Sequence, residues 1–176
     1  KPLDDLAAAV RFIQQLRSKA EDYYVAGFSA GGHLASLWGT AALGAPKYGL
    51  PLPKGLLLGY PLTSLTHIPE PLNSYFRKGL FGASFESETA DLYNAAGQMT
   101  QAYPPFYLVR AADDTTVSPQ DGDDMETAAR RCKVPHKIET ACAGGHGFGP
   151  GTGTPLAGWL KRGMAFLDTT EDIAAK

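Results

Sequence analysis

The sequence predicts an α/β fold, a mostly parallel sheet with helices on both faces. Two observations carry that prediction. Strand-like runs alternate with segments of helical periodicity, in the order strand, helix, strand, long insertion, strand, helix, strand, loop, helix. The run Gly55-Leu56-Leu57-Leu58-Gly59-Tyr60 is apolar throughout, as a strand buried on both faces is. A length of 176 residues suffices for one domain with a sizeable core.

Residues 2–18 read as an amphipathic helix. Leu3, Leu6, Val10, Ile13 and Leu16 recur at three- and four-residue spacing and form one stripe. Pro2 suits the first turn, Asp4 and Asp5 the positive helix end, Arg17 and Lys19 the negative end. Residues 22–28 read as a strand, and 30–43 as a helix with Leu34, Leu37 and Trp38 on one side. Residues 55–61 form the second strand. Residues 62–104, with Pro69, Pro71 and Pro104, read as an irregular insertion shaping a pocket, with a short helix near 86–96. A strand over 105–113, a helix over 119–133, a strand over 136–142, a Gly-rich loop over 143–154 and a helix over 155–168 complete the chain.

Composition excludes several classes. Charged residues make up 19% and the net charge is -2, with both signs interspersed, so there is no footprint for nucleic acid or an anionic membrane. The cluster Arg130-Arg131-Lys133 falls at a helix C-terminus, where cations complement the dipole. No apolar run has the ~18 residues of a membrane span. Cys132 and Cys142 lack ligand spacing; a disulfide between them is compatible with the sequence but not required by it. No metal or cofactor motif is present. The chain opens on Lys1-Pro2 and enters a helix at once, which we read as a piece of a longer polypeptide, with a cytoplasmic location as the default expectation.

Three motifs carry chemistry. Gly27-Phe28-Ser29-Ala30-Gly31 lies between a predicted strand and a predicted helix. A nucleophile there needs a sharp turn that lifts its Oγ off the sheet edge, with small residues on either side for close backbone approach. The helix that follows points N–H groups, Ala30's first, at a developing oxyanion. By composition alone the pattern is expected roughly 0.1 times in such a chain, so its strand–turn–helix context does most to separate it from a Gly-rich turn with a Ser cap. Ala112-Asp113-Asp114-Thr115-Thr116-Val117 follows the third strand, where a carboxylate can orient a histidine; alone it reads equally as an Asp-rich helix cap. Gly144-Gly145-His146-Gly147-Phe148-Gly149 follows the last strand, and its glycines allow a tight loop that brings the imidazole back over the sheet edge. Tyr60, Tyr75 and Phe148 are candidates to line the pocket. His33, one helical turn past Ser29, reads as a packing residue that could line the site; His67 and His136 read as surface or loop residues.

These motifs resemble bacterial carbohydrate acetylesterases, of the acetyl xylan esterase kind, and related esterases of the α/β-hydrolase superfamily. The likeness runs from Pro2-Leu3-Asp4-Asp5 through Gly27-Phe28-Ser29-Ala30-Gly31-Gly32-His33-Leu34-Ala35, Tyr103-Pro104-Pro105-Phe106-Tyr107-Leu108 and Val134-Pro135 to the His146 loop. The resemblance implies one α/β-hydrolase domain over 1–176, lacking that fold's N-terminal strands, and a serine carboxylic ester hydrolase acting on a small ester such as an acetylated sugar. It implies Ser29 as nucleophile, His146 as base, Asp113 as acid and Ala30 as oxyanion donor. The Asp114-Thr-Thr-Val register favours Asp114 instead; the first Asp of such a pair usually matches the catalytic position in relatives, so Asp113 is the expected acid. Arg110 stands where relatives usually carry His or Gly. The His-Gly-Gly-Gly loop of relatives does not occur in this sequence. The elbow strand is then expected at an exposed edge, covered by an N-terminal fragment or a second copy. The alternatives are a non-catalytic binding module and a peptidase of the same fold.

Overall fold

A computed structural model of the chain describes residues 2–16, 22–68, 70, 73, 74, 78, 79 and 87–174. The described strands β1 (Tyr24–Phe28), β2 (Gly55–Gly59), β3 (Phe106–Ala111) and β4 (His136–Ala141) form a parallel sheet in the order β1-β2-β3-β4. Helices α1 (Pro2–Leu16), α2 (Ala30–Trp38), α3 (Ser87–Leu92), α4 (Pro119–Cys132) and α5 (Trp159–Ala174) surround it, with a 3-10 turn at Ala45–Tyr48.

The period of two along each strand divides the core. Leu56, Leu58, Phe106 and Leu108 face one way, onto Ala35 and Leu37 of α2 and Met125, Ala128 and Ala129 of α4. Leu57, Tyr107 and Val109 face the other way, onto Leu156, Trp159 and Leu167. Both faces are therefore covered, as the apolar Gly55–Tyr60 run predicts. Full burial of one such side chain is worth about 1.5–3 kcal/mol. A third cluster packs Ala7 and Val10 of α1 against Trp38, Ala45 and Leu50. The α1 stripe is buried only in part: Ile13 and Leu16 are exposed.

Among the boundaries that differ from expectation, two have identifiable reasons. The helix expected to reach residue 43 stops at Trp38. There the Thr40 hydroxyl donates back to the Leu37 carbonyl and accepts the Leu43 N–H, replacing helical bonds. The last helix begins at Trp159 rather than 155, directly after Gly158 in a left-handed conformation.

The start of the 62–104 segment is tied to α4. Asp121 Oδ1 accepts the Thr63 N–H (2.6 Å), the Ser64 N–H (2.9 Å) and the Thr63 hydroxyl (2.9 Å). Burial raises the Asp121 carboxyl above its ordinary range, against the pull of those donors. Leu62, Leu65 and Ile68 form a small apolar cluster with Tyr93 and Val117. The helix expected near 86–96 is α3, shorter than that span. Among the described residues no helix is long and apolar enough to cross a membrane.

Candidate active site

Ser29 sits between the end of β1 and the start of α2 with φ 53 and ψ -120, a conformation that costs a non-glycine residue of order 1–3 kcal/mol. The surrounding backbone holds it there. Its N–H donates to the Gly59 carbonyl (3.0 Å), and its carbonyl accepts from the His33 N–H (3.1 Å) and the Leu62 N–H (3.2 Å). The close approach expected of the flanking glycines holds at Gly27 and, on the helix side, moves from Gly31 to Gly32. A Cβ on Gly27 would overlap the Gly31 carbonyl and lie 2.7 Å from Ala35 Cβ; one on Gly32 would lie 2.6 Å from Pro61 Cβ. A Cβ on Gly31 would meet nothing within 4 Å. The Ala30 N–H opens α2 and has no intrahelical acceptor.

Ser29 Oγ lies 2.8 Å from His146 Nε2, and His146 Nδ1 lies 2.8 Å from Asp114 Oδ2. These side chains come from three loops at the carboxyl ends of β1, β3 and β4, where parallel sheets collect their chemistry. With the carboxylate ionised, Nδ1–H donates to Asp114 and Nε2 is left to accept the serine proton. The Asp114 side chain is only 4% exposed, and its second oxygen, Oδ1, accepts the N–H groups of Thr116 (2.8 Å) and Val117 (3.0 Å).

The choice of Asp113 is therefore corrected: the imidazole partner is Asp114. Strand β3 ends at Ala111, and the Asp114 N–H turns back to the Ala111 carbonyl. That turn directs Asp114 inward and leaves Asp113 exposed. Asp113 instead accepts the Gly145 N–H (2.8 Å), which holds its carboxyl below the usual range, with the Gly144 N–H adding to the effect. The usable signal was the Asp-Thr-Thr-Val register, since a carboxylate capping the N–H groups two and three residues on has its other oxygen free for a partner.

Gly145 (φ 61) and Gly147 (φ 83) flank His146 in left-handed conformations, as the tight loop required. Tyr60 is buried, with its ring centroid 4.9 Å from the imidazole, and it lines the small cavity beside Asp114 together with Arg110 and Val117. Phe148 packs 4.5 Å from Tyr60, centroid to centroid. Tyr75 lies outside the described residues. His33 is buried, with Nε2 2.8 Å from the Tyr93 carbonyl, and burial lowers its pKa, so it packs beneath the elbow. His67 does have a partner, Asp124 Oδ2 at 2.8 Å, which the sequence pattern did not reveal. His136 is half-buried at the start of β4, stacked on Phe106. Arg110 ties β3 to Thr140, to Asp123 and to the Pro119 carbonyl, a structural brace beside Asp114. Cys132 and Cys142 are both free.

No protein-family model matches the chain. Among curated proteins, endo-1,4-beta-xylanase B of Butyrivibrio fibrisolvens is 26% identical over 172 residues, which is 90% of this chain and 26% of that protein. Among solved structures, the acetyl ester-xyloside bifunctional hydrolase of Caldicellulosiruptor lactoaceticus superposes with a TM-score of 0.76 at 25% identity, covering 98% of this chain and 65% of that one. The carboxylesterase Cest-2923 of Lactobacillus plantarum WCFS1 gives 0.69 at 25% identity, covering 83% and 55%. The chain thus spans about a quarter of the curated relative's length and between half and two thirds of the two hydrolases'. Its fold is that of the α/β-hydrolases, and within that fold it resembles esterases.

Proposed function

We propose that the chain is a serine carboxylic ester hydrolase that removes small acyl groups, acetyl among them, using Ser29, His146 and Asp114. The observation that carries the reading is the continuous relay from Ser29 Oγ to His146 Nε2 and from His146 Nδ1 to Asp114, with both links at 2.8 Å. The strained Ser29 backbone supports it, because an outlier held by three backbone hydrogen bonds points to a function for that residue.

In this reading Ser29 Oγ attacks the ester carbonyl as His146 Nε2 takes its proton. The Ala30 N–H donates to the tetrahedral oxyanion; loss of such a donor typically costs about 100- to 1,000-fold in turnover. His146 then protonates the departing alcohol. A water, deprotonated by the same nitrogen, hydrolyses the acyl-enzyme and regenerates Ser29. Asp114 keeps the proton on Nδ1 and stabilises the imidazolium. The 62–104 segment, anchored by Asp121, shapes the pocket for the alcohol. A carbohydrate alcohol is favoured because similar proteins include an acetyl ester-xyloside hydrolase and a xylanase.

The test is p-nitrophenyl acetate turnover by the chain and by Ser29→Ala. Loss of at least ~1,000-fold on substitution is expected. Equal rates would leave the non-catalytic binding module as the better reading. Release of acetate from acetylated xylo-oligosaccharides, compared with acetylated amino alcohols, tests the substrate class.

A further inference from the structure

We propose that the Tyr60 ring holds the plane of the His146 imidazole in line with Ser29, making Tyr60 a positioning residue. The inference rests on the hydrolase reading above. The two hydrogen bonds of the relay locate the two imidazole nitrogens. The ring turns about Cα–Cβ and Cβ–Cγ, and a neighbour packed against it adds to the hold on those two torsions. The Tyr60 ring meets the imidazole at a centroid separation of 4.9 Å and an interplanar angle of 68°. Its hydroxyl accepts the Gly149 N–H at 3.1 Å, and Phe148 meets it edge-on from the same loop.

The loop cannot supply this hold by itself. A Cβ placed on Gly145, Gly147 or Gly149 would meet nothing within 4 Å, so no packing against the Cβ side of these glycines holds the loop. Tyr60 is instead fixed from the sheet. Its N–H donates to the Val109 carbonyl (2.6 Å), and it lies between Gly59, which accepts the Ser29 N–H, and Pro61, which abuts Gly32 of α2. Its φ of 37 is costly for an aromatic residue and is maintained only because the neighbours determine it. The same short segment therefore seats the nucleophile's backbone and braces the base.

The experiment measures the rate at which a small fluorophosphonate labels Ser29, read by intact mass. It adds kcat and KM for p-nitrophenyl acetate and a melting curve for each protein. Wild type should label and Ser29→Ala should not. Tyr60→Leu should fold, label roughly tenfold more slowly and lose kcat to the same extent, with KM within about threefold. Tyr60→Phe, which keeps the ring, should stay within about threefold of wild type. Should Tyr60→Leu fail to melt cooperatively, Tyr60→Met takes its place with the same thresholds. A folded Leu or Met variant labelling at the wild-type rate overturns the proposal. So does one that raises KM with kcat unchanged, since that assigns Tyr60 to substrate binding. A Phe variant as slow as Leu also overturns it, by assigning the hold to the hydroxyl. If wild type itself is not labelled, the hydrolase reading fails and the positioning role falls with it.

Discussion

The turn carrying Ser29 and the loop carrying His146 face each other across 2.8 Å, yet they are held by opposite means. The serine turn is fixed by backbone: three main-chain hydrogen bonds on Ser29 and glycine contacts too close for a Cβ. The histidine loop is fixed by side chains reaching in from elsewhere. Asp113 takes the Gly145 N–H, Tyr60 takes the Gly149 N–H, and Trp159 Nε1 donates to the Gly149 carbonyl. The proposed nucleophile would need one strained geometry, which a rigid backbone supplies. The proposed base would have to be placed relative to two partners on other strands, and its loop is shaped by what surrounds it. Damage to the turn should therefore appear as lost stability, and damage around the loop as lost activity in a folded protein.

The largest expected effect tests the second half of that contrast. Asp114→Asn should lower kcat by about 1,000- to 10,000-fold with the melting curve nearly unchanged, because the amide favours the wrong imidazole tautomer. Asp113→Asn, which touches only the loop backbone, should stay within about tenfold. Steady-state kinetics on the pair decides between them, and the reverse order would restore Asp113 as the acid.

Next comes the turn. Gly27→Ala should cost about 3 kcal/mol in urea unfolding, since the new methyl meets backbone that cannot move aside. Gly31→Ala, two residues past the serine, should be neutral or stabilising by about 0.5–1 kcal/mol, because its methyl enters open space and alanine favours the helix. Equal destabilisation by both would break the argument that only one side of the pentapeptide is crowded.

The smallest effect concerns the packing beneath the turn. Burial lowers the His33 pKa below 6.5, so the unfolded chain binds the proton more readily. The stability His33 contributes is full above 6.5 and is lost as pH falls through its folded value. Asp121, raised by burial above 3.8, acts in the opposite sense: its contribution is full below 3.8 and is lost as pH rises through its folded value. His33→Gln keeps a donor for the Tyr93 carbonyl without the titration. Its melting temperature should decline less steeply than wild type's between about pH 6.5 and pH 5. Parallel slopes would remove His33 from the account of acid sensitivity.

Much of this molecule is legible in the residue order. The all-apolar Gly55–Gly59 run announces a strand covered on both faces, and the glycines around His146 announce a loop with left-handed turns. Ser29 stands out because its motif sits where a strand gives way to a helix. Such features are local, set by side-chain period and by which residues tolerate positive φ. What the tertiary structure decided is everything that depends on direction across strands. It chose Asp114 over Asp113, because a turn after Ala111 reverses which of two adjacent carboxylates points inward. It moved the glycine crowding from Gly31 to Gly32, because Pro61 arrives from the next strand. It placed Tyr60 against the imidazole and paired His67 with Asp124, contacts between residues 86 and 57 positions apart in the chain. Composition and spacing hold no record of such distances, since they arise only when separate loops meet at one edge of the sheet.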